Sequence, residues 1–265
     1  MQSAYWRSNM IKAAFFDVDG TLLSYKTKQV SPSARAAIAK LQEQGILCIV
    51  ATGRHMIQLS KLPVADIPFD GFVMLNGQLV LDKEENVLFG VPIEGKAKEF
   101  LVEKFNDHTY PAVMVEQDQM YLNCVTDHVL DVNQRMSITL LPISQYRGGD
   151  IYQICAYLRP EEEYLVDPIK QDCVLTSWHY GGKDIIAGGG GKMAGIRRYL
   201  ELLGIRREEI IAFGDAENDL EMIRFAGIGV AMGNGEAEVK AVADYVTADI
   251  DDDGIEKALK HFKLI

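Results

Sequence analysis

The short apolar run Ala13-Ala14-Phe15-Phe16 ends on Asp17-Val18-Asp19-Gly20-Thr21, and this junction restricts the possible folds more than any other stretch of the chain. Four apolar residues, two of them aromatic and soon followed by a glycine, read as a buried strand whose end delivers a carboxylate into a loop. Two acids two residues apart at a strand end stand where open parallel sheets bind their ligands. Gly20 lets the backbone turn sharply, and Thr21 adds a hydroxyl. Taken alone, the string also reads as a plain turn, because Asp and Gly favour turns for local reasons.

The residues that follow decide between those readings. Ser31 as N-cap, Pro32 at the first helical position, apolar Ala37, Ile38 and Leu41, and Gly45 as the stop predict a helix. Ile46-Leu47-Cys48-Ile49-Val50 predicts a buried strand that ends in Ala51-Thr52-Gly53-Arg54. A short helix is expected from His55 to Leu62, then a third strand, Gly71 to Leu75, closed by Asn76-Gly77. Strand and helix alternating in this way signal a parallel sheet covered on both faces.

The texture changes near Gln78. From Leu79 to Ile186, strand-like runs such as Ala112 to Val115, Met120 to Leu122 and Tyr152 to Tyr157 mix with helices expected over Lys96 to Phe105 and Thr126 to Arg135. Glu116 to Gln119 has hairpin spacing, which indicates antiparallel pairing in an inserted α+β domain. The parallel pattern then resumes. Lys192 to Leu203 is a helix with Ile196, Tyr199, Leu200 and Leu203 on one face, and Ile210 to Phe213 is a strand running into Gly214-Asp215-Ala216-Glu217-Asn218-Asp219. Ile228 to Met232 and Tyr245 to Thr247 complete the strands before a C-terminal helix from Gly254. The expected fold is α/β, a Rossmann-like parallel core of residues 10–80 and 187–265 interrupted by an α+β domain of residues 81–186.

Charge narrows the function classes. A formal net charge of −11 and a pI near 5.0 argue against general affinity for nucleic acid or an anionic membrane, so any anion must be met by local groups. Cys48, Cys124, Cys155 and Cys173 show neither a Cys-x-x-Cys pair nor zinc spacing and are expected as reduced thiols. No stretch approaches the roughly 18 to 20 apolar residues of a membrane span, and the start lacks a secretion signal, so a cytoplasmic location is expected. Residues 1–9 are polar and patternless and stay outside the fold argument.

Four polar sites fall at strand ends or helix starts: Asp17 with Asp19, Thr52 with Arg54, Lys192, and Asp215 with Asn218 and Asp219. Three carboxylates from two strands suit a hard cation such as Mg²⁺, which takes oxygen ligands and commonly bridges to substrate phosphate. A hydroxyl, a lysine and helix-start amides suit the remaining oxygens of a phosphoryl group.

In this order, Asp17 to Thr21, Ala51 to Arg54, Lys192 and Gly214 to Asp219 resemble the four motifs of the haloacid dehalogenase superfamily. Asn76-Gly77, Val230 to Asn234 and Asp252-Asp253-Gly254 extend the resemblance to its Cof-type branch, phosphatases with a C2-type α+β cap inserted between the second and third motifs. The resemblance implies that Asp17 is a nucleophile forming an aspartyl phosphate and that Asp19 is the acid and base. It implies Mg²⁺ held by Asp17, the Asp19 backbone carbonyl and Asp215. Thr52, Gly53, Arg54, Lys192 and Asn218 would bind the substrate, with Asp219 supporting them from behind and the cap closing to exclude water. The implied activity is hydrolysis of a small phosphorylated metabolite, a sugar phosphate foremost. The sequence departs from the pattern where Gly188 to Gly191 precede Lys192, where Met193 stands in place of a glycine, and where Ala216 does the same.

Other readings stand beside these. Gly191-Lys192 is not a Walker A loop, because position 186 is Ile and Met193 is neither Ser nor Thr. Arg54 can equally pair with an acid at the surface. The acidic run Asp249 to Asp253 reads as a solvated loop, and Trp178, His179 and Tyr180 either face substrate or pack within the cap, packing being the commoner fate of aromatic residues. A phosphomutase could use the same aspartyl phosphate, and a phosphate-ligand sensor could use the same fold without the chemistry.

Overall fold

The computed structural model describes residues 11–136, 138–177 and 181–265. Residues 1–9 and Trp178, His179 and Tyr180 lie outside the described residues. The chain divides into two compact units: the described residues up to Phe89 together with Gly191–Ile265, and Gly90–Gly190.

The first unit opens with β1 (Ala13–Phe16), every residue of which is buried. Helix α1 (Pro32–Glu43) starts where Ser31 accepts the Ala34 N–H at 3.1 Å, and it buries Ala34, Ala37, Ile38 and Leu41. Strand β2 (Leu47–Ala51) follows. Helix α2 is only Met56–Leu59, because His55 serves as its N-cap and Pro63 begins a separate 3₁₀ turn over Pro63–Asp66. Strand β3 (Gly71–Met74) leads through a 3₁₀ turn at Leu75–Gly77 into β4 (Leu79–Asp82) and then β5 (Val87–Gly90). The strand at Leu79 therefore belongs to this sheet, and the unit extends to Phe89. The tight turn folds β4 back antiparallel on β3, with Met74 opposite Leu79 and Gly71 opposite Asp82.

The second unit contains α3 (Gly95–Asn106), β6 (Ala112–Val115), β7 (Met120–Leu122), α4 (Asp127–Met136), β8 (Gln153–Ala156), β9 (Cys173–Ser177) and β10 (Lys183–Ala187). Its strands run in the order β7-β6-β8-β10-β9, all pairs antiparallel. Helix α3 buries Ala97, Leu101 and Phe105, and the Phe105 ring meets Tyr121 edge-on at 5.8 Å. Asn123 fastens helix to sheet, donating to the carbonyls of Phe105 and Tyr110 and accepting the Ala112 N–H.

The chain then returns to the first unit with α5 (Lys192–Leu203), β11 (Ile210–Gly214), α6 (Leu220–Phe225), β12 (Ile228–Ala231), α7 (Ala237–Val242), β13 (Tyr245–Val246) and α8 (Gly254–His261). Among the described residues eight strands form its sheet, in the order β13-β12-β11-β1-β2-β3-β4-β5. Every pair from β13 to β3 is parallel. Strands buried on both faces must be apolar throughout, which is why β1 and β11 read as unbroken hydrophobic runs. Phe16 stacks on its register partner Phe213 at 5.0 Å. Helix α5 covers one face with Ile196, Tyr199 and Leu200, each aliphatic side chain worth about 2 kcal/mol of burial. Leu203, expected on that face, is exposed, because the helix ends at Gly204 in the left-handed conformation.

Candidate active site

Strand order places the site. From β1 the sheet grows outward through β2 and β3, whereas β11 and β12 grow the other way, so the order reverses between β1 and β11. Loops leaving the carboxyl ends of strands diverge at such a point and leave a crevice. In-phase pairing brings the two strand ends level: Phe16 lies opposite Phe213, and the Asp17 N–H donates to the Phe213 carbonyl at 3.0 Å. Asp17 and Asp215 thus flank the reversal.

Lys192, the first residue of α5, sends its ammonium into this crevice, where the side chain is fully buried. It makes a short hydrogen bond to Asp17 Oδ1 and another of 2.7 Å to Asp219 Oδ1. Burial works against its charge, but Asp17 and Asp219 outweigh that and hold its pKa above the usual lysine range. The second oxygen of Asp219 accepts the N–H groups of Asp215 at 2.9 Å and Ala216 at 3.2 Å. Both Asp219 oxygens are therefore engaged, and this acid fixes the Asp215 loop and the lysine.

Thr21 donates to Asp215 Oδ1 at 2.8 Å. Burial, then repulsion from Asp219, pushes the Asp215 carboxyl up to about 7. Burial, then Asp219, also raises Asp17 well above the usual carboxylate range against the pull of Lys192. The carboxylates of Asp17, Asp215 and Asp219 lie within 4.8 Å of one another and could hold a metal ion. Three carboxylates against one ammonium leave the cluster short of positive charge, and all three offer hard oxygen donors, so the donor set fits a divalent cation. The turn is shaped to the same end. Gly20 has φ +87°, and a Cβ there would lie 2.2 Å from Asp215 Oδ2.

The Asp19 carboxylate turns away from that cluster to Arg54, which donates to it from Nε and Nη2. Its backbone carbonyl accepts the Tyr25 hydroxyl at 3.3 Å. Tyr25 escaped the sequence reading because nothing in its spacing marks it. Thr52 is buried at the end of β2, its hydroxyl accepting the Arg54 N–H at 3.2 Å, and Gly53 follows it. Asn218 donates to Asn76 Oδ1 at 3.1 Å, tying the β11 loop to the turn after β3. Asn234 clamps the first turn from the side, donating to the Gly20 carbonyl at 2.7 Å and accepting the Ile250 N–H at 2.9 Å. The acidic run at Asp249 is thereby an exposed loop with a structural anchor. The structure thus brings together Asp17, Lys192, Asp215 and Asp219 directly, and links Asp19 to Arg54 and Arg54 to Thr52.

Residues 14–259 match the profile of the haloacid dehalogenase-like hydrolases, and the chain belongs to that family. It is 34% identical over 260 residues to YkrA of Bacillus subtilis (strain 168), which carries a provisional phosphatase name, covering 96% of this chain and 98% of that one. It is 30% identical over 264 residues to YitU of the same organism, named a 5-amino-6-(5-phospho-D-ribitylamino)uracil phosphatase, covering 93% and 95%. Among solved structures, the HAD subclass IIB sugar phosphatase BT4131 superposes with a TM-score of 0.84 at 33% identity, covering 96% of this chain and all of that one. Among the described residues no helix is long and apolar enough to cross a membrane.

Proposed function

We propose that this hydrolase is a Mg²⁺-dependent phosphatase that cleaves a small phosphomonoester, a sugar phosphate foremost, through an aspartyl phosphate. The single observation that carries the reading is the Lys192 ammonium buried between Asp17 and Asp219, beside Asp215. A lysine placed there neutralises part of the charge that a phosphate dianion must approach, and it fixes the carboxylate that attacks.

Asp17 attacks phosphorus through one carboxylate oxygen as the ester P–O bond breaks, and Asp19 gives its proton to the departing alcohol oxygen. Asp19 then takes a proton from water, the water oxygen bonds to phosphorus, and the aspartyl P–O bond breaks. Inorganic phosphate leaves and Asp17 is restored. Arg54 keeps Asp19 aimed through both steps. Thr52, the Gly53 amide, Lys192 and Asn218 receive the phosphoryl oxygens. Asp17, the Asp19 carbonyl and Asp215 would hold the Mg²⁺, which would supply the charge that offsets repulsion between carboxylate and dianion.

The sugar-phosphate assignment is supported by the likeness to BT4131 and by the phosphorylated ribityl group in the name of YitU. The experiment is phosphate release from a panel of phosphorylated metabolites scored by kcat/KM. Sugar and sugar-alcohol phosphates should lead the panel. Full activity of an Asp17→Asn variant, or of the wild type in EDTA, rules the mechanism out.

A further inference from the structure

Asn76 has no role in the chemistry above, yet its main chain and side chain reach three of the four loops that build the site. Its N–H donates to the Thr52 carbonyl at 3.0 Å, and its carbonyl accepts the Gly191 N–H at 3.1 Å, immediately before Lys192. Its side-chain Oδ1 accepts Asn218 Nδ2 at 3.1 Å. The residue is 2% exposed and sits in the left-handed region at φ 52° and ψ 40°, where Asn is among the few non-glycine residues that fit readily.

The neighbouring backbone is closed tightly around it. A Cβ on Gly77 would lie 2.2 Å from the Gly191 carbonyl oxygen, and one on Gly195 would lie 2.6 Å from Gly77 Cα. The start of α5 is therefore pressed against the turn that Asn76 shapes. A Cβ on Gly53 would lie 3.0 Å from the Asn76 amide, so that amide also fills the space beside the Thr52 loop. One residue thus sets the spacing of the Thr52, Lys192 and Asn218 loops, the groups assigned above to phosphoryl oxygens.

We propose that Asn76 is a positioning residue of the phosphoryl site, acting through Asn218: its Oδ1 holds the Asn218 amide in the orientation that meets a phosphoryl oxygen. This rests on the phosphatase reading. An unheld Asn218 amide must be ordered by the ligand itself, so the loss falls on phosphate binding rather than on the chemical step.

The test is a double-mutant cycle read by the Ki of inorganic phosphate as a competitive inhibitor of p-nitrophenyl phosphate hydrolysis, with KM and kcat followed separately. Asn76→Gly keeps the left-handed backbone and removes the acceptor together with the rest of the amide. Asn76→Asp keeps an acceptor. In the wild-type background Asn218→Ala should raise Ki by about 3- to 10-fold, the worth of one hydrogen bond. It should cost as much in the Asn76→Asp background and nothing in the Asn76→Gly background. Asn76→Gly alone should raise Ki and KM together while kcat stays within about twofold. A merely structural role would lower the active fraction and leave Ki unmoved.

Equal costs of Asn218→Ala in the wild-type and Asn76→Gly backgrounds overturn the proposal. If Asn76→Gly does not fold, loss of the Asn218→Ala effect in the Asn76→Asp background overturns it instead. A wild-type protein that neither hydrolyses the ester nor binds phosphate overturns the phosphatase reading, and the positioning role with it. A wild type that does both isolates the cycle as the test of Asn76.

Discussion

Arg54 grips both oxygens of Asp19 across 35 residues of chain, Nε donating to Oδ2 at 2.5 Å and Nη2 to Oδ1 at 2.7 Å. The pair is partly buried, with side-chain exposures of 23% and 27%, so it is not an ordinary surface ion pair. A planar fork on a carboxylate fixes rotation as well as distance, and the proposed mechanism depends on that rotation, since it asks Asp19 to meet first an alcohol oxygen and then a water.

Removing that fork should therefore affect turnover more than binding. Arg54→Ala is expected to lower kcat by about tenfold or more, with a smaller change in KM. Arg54→Lys should recover only part of the loss, because an ammonium cannot hold both oxygens in one plane. Steady-state kinetics on a single phosphomonoester checks both.

Lys192→Met leaves Asp17 and Asp219 buried without their shared cation. Stripping one partner from a buried charge cluster costs about 3–5 kcal/mol. Urea unfolding at pH 8 should show a loss of that size. The loss should narrow as the pH is lowered, because Asp17, pushed up by burial and by Asp219, takes a proton more readily than an ordinary carboxyl and so sheds its charge.

The Asp215 carboxyl stands at about 7, raised by burial and by Asp219 above its unfolded value. A raised acid binds more protons folded than unfolded, so its contribution to stability is complete below about pH 4 and is lost as pH rises through about 7. Metal-free protein should accordingly melt at a lower temperature at pH 8 than at pH 6. A cation must displace that proton, so Mg²⁺ should raise the melting temperature more at pH 8 than at pH 6. Thermal melts in EDTA and in Mg²⁺ at the two pH values test the sign.

Gly20→Ala should separate folding from cation binding. The new Cβ would press on Asp215 Oδ2 and sit at φ +87°, a strain of about 1 kcal/mol before any displacement of the carboxylate. The variant should fold with slightly reduced stability yet lose most of the Mg²⁺-induced rise in melting temperature. A full rise in the variant would show that the turn does not shape the ion site.

Much of this architecture can be read from residues in a row, and what cannot be read depends on partners far apart in the chain. The β1 and β11 runs announce themselves because strands covered on both faces tolerate no polar residue. Ser31, Pro32 and Gly45 mark the ends of α1 through local backbone chemistry alone. The assignment of β4 to the first sheet was not legible, because the four residues from Leu75 to Gln78 reverse the chain there and an apolar run carries no sign of its direction. His55 as an N-cap was missed because histidine seldom plays that part, and it shortened the expected helix. In the site, the acids were found through their strand-end positions. The grip of Arg54 on Asp19 and the saturation of Asp219 by two amides and an ammonium were not, since both depend on side-chain directions set only after the sheet closes.

Strand β1 lies inside the sheet, and its neighbour β11 comes from beyond the whole inserted unit. As the polypeptide leaves the ribosome, the first five strands emerge long before residue 210, and one flank of β1 waits with its hydrogen-bonding groups unmatched. The inserted unit draws all its strands from one continuous stretch and is able to fold while that flank is still open. A newly made chain thus carries a bare apolar edge for the time needed to synthesise more than a hundred residues, and that interval is where misassembly or chaperone capture would begin.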